Sequence, residues 1–113
     1  MKVTVEELEA YLSGLYNGRV TDQGLFMKLV EEIGEVAEIL NKISGRKKAD
    51  SNDLEVQLGQ ELADVIHYVV AIAAVNHLDL NQIILDKDKK AAEKYHRDTN
   101  MEQFVLEKRA SDS

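Results

Sequence analysis

The 113-residue sequence contains no cysteine, no proline and only six glycines. Without cysteine, neither a disulfide framework nor thiolate ligation of a metal is available. Because helix breakers are few and Leu, Ile, Val, Ala, Glu and Lys are abundant, the composition favours an all-α protein. The start of the chain has no apolar signal core, and no apolar run approaches the ~20 residues of a membrane span. We therefore expect a cytoplasmic protein.

Positive charge is also scarce, since 14 Lys and Arg residues face 21 Asp and Glu residues and give a net charge of −7. This balance argues against non-specific nucleic-acid binding, which requires a basic face. It remains compatible with a phosphate-bearing substrate, provided that cations bridge the two negatively charged partners.

Apolar residues spaced by threes and fours predict four helices. The predicted helices run from about Thr4 to 17, from about Gln23 to about Ile43, from Asn52 or Asp53 to about His77, and from Asp79 to about Arg97. We expect residues 1–98 to form a single domain. Residues 99–113 are expected to be a tail with a short helix that then frays.

The third predicted helix is apolar nearly all round in the stretch VIHYVVAIAAV. One small chain can hardly cover such a helix, which favours a four-helix-type bundle completed by oligomerisation into a homodimer or homotetramer. The alternative is a well-buried central helix in a monomer.

Acidic residues form spaced pairs on the second and third helices. Glu32 and Glu35 border the apolar stripe of the second helix, with Glu31 further round, and Glu61 and Asp64 do the same on the third. If these helices pack antiparallel, the two pairs face each other. Such converging carboxylates must bind protons or cations, and hard oxygen ligands suit Mg²⁺ or Mn²⁺. The alternative is an ordinary solvated acidic face.

These acids form the two-part pattern Glu31-Glu32-x-x-Glu35 and Glu61-x-x-Asp64, which resembles the signature of the MazG-like all-α nucleoside triphosphate pyrophosphohydrolases. Apolar flanks and a late Lys-Tyr pair extend the resemblance over roughly residues 20 to 97. The resemblance implies cleavage of a (deoxy)nucleoside triphosphate between the α- and β-phosphates, with Mg²⁺, by a dimer or tetramer. It implies that Glu32, Glu35, Glu61 and Asp64 ligate the metal, and that Glu31 is a ligand or orients the attacking water.

One position departs from the dCTP- and dUTP-type relatives, which tend to have Asn four residues before the late Tyr. Here that position is Ala91. The departure weakens any transfer of their substrate preference and leaves the metal motif untouched.

Several side chains are candidates for substrate binding. Lys28, Tyr68, Lys87 and Lys94 are predicted to contact the substrate, although each has an alternative as a solvated lysine or a core tyrosine. His67 is expected to be a packing or surface residue. A base pocket is expected from Tyr11, Leu15 or Phe26, and the loop lysines and arginine at 46–48 either close over a nucleotide or stay mobile.

Two other functions fit the same sequence. One is a non-catalytic helical nucleotide-binding or adaptor protein that uses the acids as solubilising charge. The other is a phosphoribosyl-ATP-type pyrophosphohydrolase, which would differ in substrate selectivity.

Overall fold

A computed structural model describes residues 1–45 and 53–113, so the predicted loop residues Arg46, Lys47 and Lys48 lie outside the described residues. The described part is all-helical, as predicted. Its five helices are α1 (Val5–Tyr16), α2 (Asp22–Ile43), α3 (Leu54–Val75), α4 (Leu80–Lys94) and α5 (Met101–Asp112). The bounds of the first four agree with the predicted ones to within about three residues, and α5 lies in the predicted tail.

The helices belong to two compact units. The first unit, residues 1–78, holds α1 to α3, and the second, residues 79–113, holds α4 and α5. The single domain expected over residues 1–98 remains a prediction.

Side-chain caps fix the helix starts that the sequence indicated. The Thr4 hydroxyl accepts a hydrogen bond from the Glu7 backbone N–H, and the Glu7 carboxylate accepts one from the Thr4 N–H, which completes a capping box. Thr21 caps α2 by accepting from the Gly24 N–H at 3.0 Å, and Asp79 caps α4. These bonds satisfy amide groups that have no partner inside the helix.

In the first unit, α3 packs against both α1 and α2. Leu12 of α1 is fully buried, and Leu25 and Ile39 of α2 are nearly so. The buried positions of α3 lie in its C-terminal half and are Val70, Ala71, Ala73 and Ala74. The helix pair is antiparallel, because Asn76 after the end of α3 donates a hydrogen bond to Asp22 at the start of α2.

The long, apolar α3 also qualifies by length and composition as a candidate membrane-spanning helix, which corrects the expectation that no apolar run approaches such a span. The core helix of a water-soluble protein passes the same test, so this is weak evidence. Glu61 and Asp64 lie inside the apolar stretch, and burying either carboxylate in lipid would be costly.

In the second unit, charged side chains join α4 to α5. Asp88 of α4 accepts a hydrogen bond from the backbone N–H of Met101, the first residue of α5, and pairs with Arg97 at 3.6 Å. Lys89 of α4 pairs with Glu102 of α5 at 3.0 Å. A carboxylate at a helix N-terminus is favoured by the helix dipole, so Asp88 fixes where α5 begins.

Truncating Leu12 to alanine should destabilise the protein by roughly 2–5 kcal/mol, because its side chain is fully buried and a cavity would remain. Leu15→Ala on the same helix removes the same atoms from a side chain that is 42% exposed and should cost much less. Urea denaturation followed by circular dichroism measures both. Equal losses for the two variants would contradict the packing described for α1.

Candidate metal centre and adjoining cavity

Three carboxylates converge between α2 and α3. Glu32 comes from α2, and Glu61 and Asp64 come from α3, where their i, i+3 spacing places them on one side of the helix. One oxygen from each of the three lies within 4.8 Å of the others. Glu32 and Glu61 are partly buried and Asp64 is exposed. The antiparallel packing predicted from the sequence therefore brings these three acids together.

The pKa of the Glu32 carboxyl group is raised from 4.5 to about 7. The largest cause is a hydrogen bond with the Glu61 carboxylate, which only a protonated partner can donate. Partial burial and the negative charges of Glu61 and Asp64 raise the pKa further, and Lys28 lowers it. Without a cation, the cluster is most favourable when it keeps one proton.

Glu35 and Glu31 lie outside this group of three. Glu35 is exposed on α2, one turn beyond Glu32, and is not among the three acids whose oxygens converge. Glu31 is exposed and pairs with Lys28 across 3.4 Å. The predicted roles of Glu35 as a ligand and of Glu31 as a ligand or water-orienting group stay predictions.

The donor set fits a hard divalent cation. Three carboxylate oxygens, with neither imidazole nor thiolate among them, suit Mg²⁺ or Mn²⁺ better than Zn²⁺ or copper. Mg²⁺ held by a few carboxylates completes its octahedron with water and substrate phosphate. A cation would also relieve the repulsion that raises the Glu32 pKa.

An open cavity of about 580 Å³ is lined by residues of α1, of the turn that follows it, of α2 and of α3, and the three clustered acids are not part of its lining. Its lining includes Tyr16, Arg19, Val20, Thr21, Lys28 and Tyr68. Lys28 precedes Glu32 by four residues and Tyr68 follows Asp64 by four, so each lies one helical turn, about 6 Å, beyond its acid. Because α2 and α3 are antiparallel, both steps lead in the same direction, and the cavity adjoins the cluster.

The aromatic wall of the cavity is held by His67. Its Nε2 atom lies 2.6 Å from the Tyr16 hydroxyl in a hydrogen bond, and its ring makes an edge contact with Tyr68 at a centroid distance of 4.9 Å. Burial raises the pKa of Tyr16, which stays a neutral phenol near neutral pH. His67, expected to be a packing or surface histidine, is partly buried and positions both tyrosines.

Sequence reasoning placed the pocket on other residues of the same region. Tyr11, Leu15 and Phe26 do not line this cavity, and Tyr11 and Phe26 are 66% and 54% exposed. Tyr16 and Arg19 line the cavity and were not predicted, and the available signal was their position on either side of the Asn17-Gly18 turn between α1 and α2. The remaining candidates, Lys87 and Lys94, are exposed on α4 in the second unit, and their contact with a substrate stays a prediction.

The described part of the chain is thus an all-helical protein in which carboxylates of two antiparallel helices converge and could hold a cation. A sequence model of the MazG nucleotide pyrophosphohydrolase domain matches residues 20–98, more than half of the chain. The chain therefore belongs to the MazG family, and the resemblance read from its motif is confirmed.

Two relatives are similar over much of this region. dCTP pyrophosphatase 1 from Mus musculus is 34% identical over 76 residues, which cover 65% of this chain and 45% of that protein. The uncharacterized protein YpjD from Bacillus subtilis (strain 168) is 27% identical over 81 residues, which cover 72% of this chain and 71% of that protein. The chain thus spans less than half of the length of the mouse enzyme.

The raised pKa of Glu32 predicts how stability depends on pH in the absence of metal. Because the folded state holds a proton that the unfolded state releases above its ordinary pKa of 4.5, stability should fall as pH rises from about 4.5 through about 7. Thermal melts in EDTA at constant ionic strength measure this trend.

Glu32→Gln removes the titrating group and should flatten the pH trend. Mg²⁺ should stabilise the wild type more at pH 8 than at pH 5, since the ligands must lose their protons. An identical pH trend in wild type and variant would show that Glu32 does not carry it.

Proposed function

We propose that this protein is a cytoplasmic, Mg²⁺-dependent nucleoside triphosphate pyrophosphohydrolase that cleaves (deoxy)NTPs between the α- and β-phosphates. The carrying observation is the convergence of Glu32, Glu61 and Asp64 beside a cavity large enough for a nucleoside. Membership of the MazG family supports the reaction class, and the name of the mouse relative supports a nucleotide substrate. Mn²⁺ is a plausible substitute for Mg²⁺ on the same oxygen ligands.

The reaction adds water across one phosphoanhydride. The water oxygen ends on one phosphorus, the bridging oxygen leaves with the other, and the products are a monophosphate and pyrophosphate. A divalent cation held by Glu32, Glu35, Glu61 and Asp64 would neutralise phosphate charge and lower the pKa of bound water. The chain itself fixes these carboxylates on two packed helices, so that little reorganisation is needed.

Lys28 and Tyr68 are the proposed substrate contacts of the first unit. Lys28 lines the cavity one turn from Glu32, where its ammonium can meet a phosphate after leaving Glu31. Both partners of that ion pair are more than half exposed, so the exchange costs little. Tyr68 offers its ring as a wall. We propose that Lys87 and Lys94 supply further positive charge, and that Glu31 orients the water once Lys28 has moved to the phosphate.

A homo-oligomer, dimer or tetramer, is the proposed assembly. Half-exposed apolar side chains follow both long helices at spacings of three and four, and those of α3 include Leu62, Ile66 and Val69. Such rows are typical of helix–helix interfaces.

Replacing Asp64 by Asn should lower kcat/KM by more than about 100-fold, because a metal ligand is lost while side-chain size is kept. Purified protein is incubated with each dNTP and NTP in Mg²⁺ and then in EDTA, and the products are resolved by anion exchange. Glu55→Gln is the matched control. It removes one charge from an exposed position of the same helix and should leave turnover within about twofold.

The product pattern separates the candidates. Monophosphate plus pyrophosphate supports the proposal, whereas a nucleoside diphosphate shows that the wrong bond is broken. No turnover of any nucleotide, together with no stabilisation by Mg²⁺, favours the non-catalytic binding protein. Selective turnover of phosphoribosyl-ATP favours the third candidate.

The assembly is tested by Ile66→Asp. Ile66 is 54% exposed, and a charge there should disrupt an apolar interface on α3 and shift the mass in sedimentation equilibrium toward the monomer. Leu106→Asp on α5, where the leucine is 58% exposed, is the control and should leave the mass unchanged. A wild-type protein that is monomeric at micromolar concentration would contradict the proposal.

A further inference from the structure

We infer that Arg19 reads the base of the substrate and selects bases that present two adjacent hydrogen-bond acceptors, guanine or cytosine, over adenine and thymine. This inference rests on the proposed function and adds the determinant of base preference to it. It is carried by the position of Arg19 in the cavity, by its lack of a charged partner and by the geometry of the guanidinium group.

Lys28 marks the end of the cavity next to the carboxylates, and Thr21, the N-cap of α2, lies seven residues earlier, about 10 Å along the helix axis. Arg19 and Val20 precede that cap and line the same cavity. A nucleotide whose phosphates lie at the acidic cluster would therefore extend its base toward Arg19.

Gly18 adopts a left-handed backbone with φ +66°, and the Arg19 N–H donates to the Tyr16 carbonyl at 3.0 Å. A residue with a β-carbon would strain the Gly18 position. This hydrogen-bonded turn holds the backbone of Arg19 against the end of α1, and so fixes the point from which the Arg19 side chain extends.

Among the residues that the structure describes, no carboxylate pairs with the Arg19 guanidinium. Lys28, the other cation of the cavity lining, is paired with Glu31. The donors of Arg19 are thus available to a ligand without breaking an ion pair in the described part of the chain.

Tyr16 and Tyr68 line the cavity, and His67 holds both through a hydrogen bond to the Tyr16 hydroxyl and an edge contact with the Tyr68 ring. Aromatic rings stack on every base and do not by themselves distinguish one from another. Discrimination between bases therefore needs a polar side chain in the cavity lining, and Arg19 supplies one.

The guanidinium group of Arg19 can distinguish the bases by its hydrogen-bond geometry. A guanidinium presents parallel N–H donors in a rigid fork that matches two neighbouring acceptors. Guanine offers such a pair at O6 and N7, and cytosine at O2 and N3. In adenine the N6 amino donor lies between the acceptors N1 and N7, and N3 has no second acceptor beside it. In thymine an N–H lies between the two carbonyls, so neither base completes the fork.

The experiment compares kcat/KM for dGTP, dCTP, dATP and dTTP in the full chain and in Arg19→Ala and Arg19→Lys. Wild type should prefer dGTP or dCTP over dATP and dTTP by about tenfold or more, as a bidentate arginine contact provides. Arg19→Ala should bring the four values within about threefold of one another. Arg19→Lys should not restore the preference, because an ammonium keeps the charge and lacks the fork.

Binding gives a readout that is independent of turnover. Titration of dGMP, dCMP and dAMP into metal-free protein, followed by amide chemical shifts, should show the same preference in wild type and its loss in Arg19→Ala. The analogue 7-deaza-dGTP lacks N7 and so cannot offer the O6 and N7 pair. If guanine is the selected base, this analogue should lose the preference shown by dGTP, which distinguishes recognition of guanine from recognition of cytosine. Arg109→Ala removes a guanidinium from α5 and is the matched control.

The outcomes separate this inference from the proposed function. No turnover of any nucleotide in wild type contradicts the proposed function. Turnover with a preference for adenine or thymine, or with a preference that survives in Arg19→Ala, overturns the inference alone. An equal loss for all four nucleotides in Arg19→Ala would assign Arg19 to the phosphates or to the turn, and would overturn it as well.

Discussion

Repulsion among three carboxylates is the interaction around which the first unit is organised. Glu32, Glu61 and Asp64 would separate if their helices were free, yet the packing of α2 against α3 holds their oxygens within 4.8 Å. The hydrophobic burial of residues such as Leu25 and Ile39 supplies the opposing free energy. The pKa of Glu32 is raised first by its hydrogen bond with Glu61 and then by partial burial and by the negative charges of Glu61 and Asp64, and either a proton or a cation would offset these charges.

This arrangement explains why the site lies on long helices and not on loops. An i, i+3 pair keeps its spacing only while the helix is intact, and α2 and α3 are both 22 residues long. The Thr21 cap fixes the start of α2. The hydrogen bond between Asn76 and Asp22 joins the start of α2 to the end of α3. Like charges on mobile segments would repel one another and move apart, so they would not form a preorganised cation site.

Much of the fold and part of the site follow from the sequence because they are encoded locally. Helix limits come from apolar periodicity and caps, and the Thr4-Glu7 capping box is present as the sequence indicates. The convergence of Glu32 with Glu61 and Asp64 needs one further assumption, antiparallel packing. The hydrogen bond between Tyr16 and His67 joins residues 51 positions apart, and no periodicity marks such a pair. The residues expected for a base pocket, Tyr11, Leu15 and Phe26, therefore differ from the residues that line this cavity.

The acids of the motif and the residues proposed to select the base lie in different parts of the chain. The match to the MazG family begins at residue 20, so it includes every acid of the motif and excludes Tyr16 and Arg19. Phosphoryl transfer depends on charge and position, which the same few carboxylates can supply for any base. Base recognition depends on donors and walls at the far end of the cavity, and here these come partly from the end of α1 and the turn after it. Relatives with the same acids and a different turn are therefore free to differ in the nucleotide they accept, which is why the name of the mouse enzyme does not by itself fix the base for this chain.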